Sequence, residues 1–176
     1  MTIQNTAWKR IFPVCLALFA ATAICMKWME GRFLSNGELF SILGLEITYP
    51  APRISAVLTG LEEPARTLLL YHLRFDFVFM AGVYPGIAAL CMMARGKFRG
   101  KLFRNILLVL AGLQLVAWGC DIIENMYLLR WLKNPSKIDG YFYFHMVVWI
   151  KWGLALSGFA VSIPFQWRQT PAMRQG

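Results

Sequence analysis

Asp121, Glu124 and Asn125 stand at i, i+3 and i+4 in an otherwise apolar run, so a helix through that run carries all three on one face. Gln114 lies about two turns earlier, close to the azimuth of Asp121. Lys151 interrupts a second apolar run, with His145 about two turns before it, and Asp76 stands at the start of a third. Two carboxyls one helical turn apart, with an amine opposite, are the ingredients of a proton relay or of a site for a cationic ligand. They are equally the ingredients of a polar network that holds helices in register. Three carboxylates against one lysine leave a formal excess of negative charge. At least one carboxyl is therefore expected to be protonated, or reached by water or a cation.

Other chemistries find little support. Cys15, Cys25, Cys91 and Cys120 are scattered singly with no C-x-x-C, which disfavours dithiol exchange. The two histidines, His72 and His145, lack the helical spacing of a ligand pair, so no metal is expected. No G-x-S-x-G, glycine-rich phosphate loop or H-E-x-x-H occurs, no cofactor is expected, and no catalytic residue is identified. An enzyme using Asp121 or Glu124 as general base beside Lys151 would still need a nucleophile that the pattern does not supply.

The elements that must position these residues are long and greasy. The 176 residues are 58% hydrophobic and only 15% charged, against roughly 45–50% and ~25% in a soluble domain. Four runs approach the ~20 residues that cross a bilayer core, over about 11–28, 75–94, 105–130 and 142–166. Trp8, Trp28, Trp131 and Trp167 fall at their ends, where amphipathic rings favour the headgroup level. The expected fold is all-α, a four-transmembrane-helix bundle forming one integral membrane domain over 1–176. A cleaved signal peptide is the rival reading of the first run, with Ala21-Thr22-Ala23 as its cleavage site. Ile24-Cys25-Met26 carries the apolar stretch past that point.

Charge then gives orientation. Lys9, Arg10, Arg95, Lys97, Arg99, Lys101, Arg104, Arg168 and Arg174 lie on one side of the spans with no acidic residue among them. The other side is nearly balanced, so the net +9 reports topology, with both termini expected in the cytoplasm. The same placement excludes a nucleic-acid partner: residues 95–104 form a short basic turn between two spans, not a basic soluble face. The lipid bilayer is the expected partner, with a membrane-protein partner or a second copy of the chain as further options. The basic turn also suits anionic lipid headgroups.

Between spans one and two, residues 30–72 form an exterior segment too short for its own core. Glycines and prolines limit its helices to about a dozen residues, one opening near Arg53 and another from Glu62-Glu63-Pro64 towards Tyr71. Leu39, Phe40, Ile42, Leu43 and Leu45 are too apolar for a free loop, so the segment reads as a cap over the bundle. A rise of 1.5 Å per residue puts Asp121 about 14 Å and Lys151 about 15 Å below that side, with Glu124 at about 9 Å and His145 at about 6 Å. Asp76 lies nearer the surface. Asp76, Asp121, Glu124, Asn125, His145 and Lys151 thus converge as a candidate pocket for a small ligand, a lipid headgroup or protons. The alternative is an accessory subunit in which the same cluster is purely structural.

The ordered set Tyr49-Pro50, Arg66 with Tyr71, Asp76-Phe-x-Phe79, Asp121-x-x-Glu124-Asn125 and Lys151 resembles a family of small bacterial four-helix integral membrane proteins with no assigned activity. The likeness covers roughly residues 47–155. It implies the inner membrane as location and a shared importance of these polar residues, and carries no activity with it.

Overall fold

The computed structural model describes residues 3–166, with side chains from residue 6 onward. The fold is all-α apart from one minimal hairpin. Among the described residues, four helices are long and apolar enough to cross a membrane. These are α1 (Ile3–Glu30), α3 (Glu63–Arg95), α4 (Lys101–Lys133) and α5 (Tyr141–Ser162), with the short α2 (Ala51–Thr59) between the first two. The connection from α1 to α2 holds strands β1 (Leu34–Ser35) and β2 (Glu38–Leu39) and a wide helical turn over Gly44–Thr48.

The start of α3 corrects the expected division of the chain. The helix opening at Glu63 does not end near Tyr71 but continues through Arg95, so residues 63–72 belong to it and the connecting segment closes at about residue 62. Nothing between Tyr71 and Asp76 breaks a helix, and Glu63 with Pro64 supplies the acidic, proline-bearing first turn that starts one. Pro85 lies inside the same helix without ending it.

The chain divides into two compact units, each taking part of every long helix. Unit 1 comprises the described residues to Phe19, Met80–Gly119 and those from Lys151. Here α1 meets α3 at Gly82, where an added Cβ would stand 2.7 Å from the backbone nitrogen of Phe19 and 3.0 Å from the carbonyl of Cys15. Only glycine allows that approach, the small-residue contact that helices in lipid use to gain van der Waals packing. Gly158 plays the same part on α5: its missing Cβ makes room for Gln114, whose amide donates to the carbonyls of Leu110 and Leu154 at 3.1 Å each. Gln114 is thus a clamp between α4 and α5.

Unit 2 comprises Ala20–Phe79 and Cys120–Ile150. Its connecting segment is docked. Asn36 and Gly37, with φ of 50° and 78°, make the tight turn between β1 and β2 that the right-handed strand twist requires. Phe33, Phe40, Leu45, Ile54, Val57 and Leu58 are buried, while Leu39 and Leu43 remain exposed, so only part of the apolar stretch over 39–45 faces inward. Side chains then tie the segment and the start of α3 to the ends of α4 and α5. Arg66 donates to the carbonyl of Leu132 at 2.6 Å, in the last turn of α4 where helix carbonyls lack helical partners. Ser55 donates to Pro135 at 2.8 Å and Tyr141 to the carbonyl of Tyr49 at 3.0 Å.

Candidate functional site

The polar face of α4 is an inward face. Asp121, Glu124 and Asn125 are 4%, 1% and 3% exposed, in line with Leu128, Trp131 and Leu132, whereas Ile123 and Met126 point outward. The i, i+3, i+4 spacing is thus realised as a buried stripe whose apolar continuation is the aromatic packing of Trp131 against Phe144 on α5, ring centroids 4.7 Å apart.

Asn125 joins this face to α3. Its amide donates to Asp76 Oδ2 at 2.8 Å and to the carbonyl of Leu73 at 3.2 Å. Asp76 is half-buried, so a carboxyl with some access to its surroundings is linked through Asn125 to the turn that carries Asp121 and Glu124. A bond from a neutral amide to a carboxylate is among the stronger hydrogen bonds, worth about 1.5–3 kcal/mol.

His145 has a different partner from the carboxyls. Its Nε2 lies 2.7 Å from Tyr141 Oη, one turn back on α5, and that hydroxyl donates its only proton to the Tyr49 carbonyl. Tyr141 Oη therefore accepts from His145, which places the imidazole proton on Nε2. Nδ1 is left buried and without a hydrogen-bond partner. The result is a short chain of polar atoms from α5 to the backbone at Tyr49.

Lys151, six residues beyond His145, belongs to unit 1; it is buried, with Nζ 5.7 Å from the Trp152 ring. Asp76, Asp121, Glu124, Asn125 and His145 all lie in unit 2. Three further polar residues of that unit were not anticipated. Glu46 is buried in the wide turn before α2, His72 is buried one turn before Asp76 with Phe33 edge-on at 5.3 Å, and Tyr141 holds His145. The Tyr141–His145 pair was visible as an i, i+4 spacing. Glu46 carried no signal, because its burial depends on the docking of the whole segment.

The rim carries ordinary ion pairs, Lys27 with Glu30, Arg53 with Glu38 and Arg130 with Asp139. Among the described residues no three His, Cys, Asp or Glu side chains converge as a metal site would require. Comparison of the chain with protein-family models, with characterised proteins and with solved structures finds no match.

Proposed function

We propose that the chain is a multi-pass inner-membrane protein, a four-helix bundle with both termini in the cytoplasm. Its buried acidic cluster binds and exchanges protons. Residues 31–62 cover the outer ends of the spans in this reading, and Asp76, being half-buried, is the side of the cluster nearest the outer water.

The observation that carries the reading is the placement of two carboxyls, Asp121 and Glu124, at 4% and 1% exposure in one turn of an apolar helix, linked through Asn125 to a third. An ionised carboxylate inside a bilayer costs about 2.5–3.5 kcal/mol even on the mildest scales, so such groups face the protein interior and serve transport or relay. The His145–Tyr141–Tyr49 chain lies in the same unit as these carboxyls.

A hydrophobic carbodiimide, which reacts with protonated carboxyls in lipid, tests this. Treatment of the membrane-embedded protein followed by peptide mass mapping is expected to find Glu124 or Asp121 modified, at a rate that falls as the pH rises. Rim acids such as Glu38 serve as the internal control. Absence of modification at both positions across the pH range would leave the cluster as a structural network, the arrangement of an accessory subunit.

A further inference from the structure

Charge is divided between the two units. The described part of unit 1 holds eight lysines and arginines and no aspartate or glutamate, and all nine acidic residues of the chain lie in unit 2. Within unit 1 the basic turn is held in a defined shape. Phe98 stacks on Phe103 at 5.3 Å and meets Phe165 edge-on at 4.7 Å, while Arg95 Nε donates to the Arg104 carbonyl at 3.2 Å. Lys97 is half-buried against this frame and donates to the carbonyl of Gln166. Burial pushes its ammonium down from the ordinary lysine value, and repulsion from the nearby Lys9 adds to the push. Unit 1 holds no carboxylate side chain to neutralise either ammonium.

One turn along α1 from Lys9 an apolar groove begins. It has a volume of about 170 Å³, and Phe12, Cys15, Phe19, Gly82, Gly86 and Phe159 line it. On α3 it reaches Leu90, about 7.5 Å of helix before Arg95. Phe19 and Phe159 are exposed, so the groove is open along its side. Gly82 and Gly86 let α1 lie close against α3, and the groove runs beside that contact.

We propose that this place binds one anionic phospholipid, with the phosphate between Lys9 and Lys97 and one acyl chain in the groove. Charge complementarity selects the headgroup, because the counter-charge has to come from outside the unit. The groove offers no polar group along its length, so the part of the occupant that enters it is hydrocarbon. A free phosphate would satisfy the lysines alone, and a zwitterionic lipid would bring its own cation to two that already repel.

Native mass spectrometry of the full chain, released from nanodiscs of equal phosphatidylglycerol and phosphatidylcholine, tests the proposal. Phosphatidylglycerol is expected to stay bound in preference to phosphatidylcholine. Lys9→Gln and Lys97→Gln should each lower its retention about fivefold, the weight of one basic residue at a headgroup. Arg99→Gln removes the same charge from an exposed position and should leave retention unchanged, while Gly86→Leu should reduce it by filling the groove. Equal retention of the two lipids overturns the proposal. So does an Arg99→Gln loss matching that of Lys97→Gln, which would mark a diffuse attraction with no seat. The lysine and arginine arms decide the matter even where Gly86→Leu does not fold.

Discussion

Asn125→Leu is expected to destabilise the protein by roughly 2 kcal/mol, seen as a melting temperature in detergent about 5 °C below that of the parent chain. The substitution keeps the branched shape of the side chain but removes the amide that Asp76 Oδ2 accepts from at 2.8 Å, and with it the link between α3 and α4. An apolar pair in place of a buried polar one is often as stable as the original, so Asn125→Leu combined with Asp76→Leu should recover most of the loss. The double variant separates structure from chemistry. Restored melting with carbodiimide modification still altered at Asp121 and Glu124 is the pattern expected of a proton-exchanging cluster. A single variant that melts with the parent would show that the bond contributes nothing.

The second large effect concerns topology. Arg95, Lys97, Arg99, Lys101 and Arg104 are the largest group of the unopposed basic residues, and the proposed orientation depends on them. Replacing all five by glutamine leaves four basic residues on that side of the spans against eight on the other. In a bacterial host, a fluorescent protein fused at the C-terminus is expected to lose much of its signal, and an alkaline phosphatase fused there to gain activity. The parent chain should give the opposite pair. Reporters that do not change on neutralisation would contradict the orientation.

The all-α character and the four long apolar helices were legible because hydropathy over twenty residues depends little on tertiary context. The buried stripe of Asp121, Glu124 and Asn125 was legible for a related reason, since helical spacing alone puts the three on one face. Boundaries were harder to read. The break expected near Tyr71 rested on treating polar residues as loop, whereas Arg66, His72 and Arg74 sit comfortably in a helix that runs on past the apolar run. The hairpin at Asn36-Gly37 had a local signal, but strands of two residues leave no alternation to detect. Glu46, the lean of Lys97 on Gln166 and the groove over Gly82 depend on how distant segments dock, which spacing along the chain does not encode. The segregation of charge between the two units was present in the sequence throughout. It was legible in the basic residues at 9–10 and 95–104, which have no acidic residue among them.

Infrared spectroscopy of the protein in lipid nanodiscs across a pH titration tests the central claim most directly. The account predicts a protonated-carboxyl band from a low-dielectric site that fades as pH rises and is lost in Glu124→Gln or Asp121→Asn. Spectra showing only ionised carboxylates at every pH, unchanged by both substitutions, would contradict it.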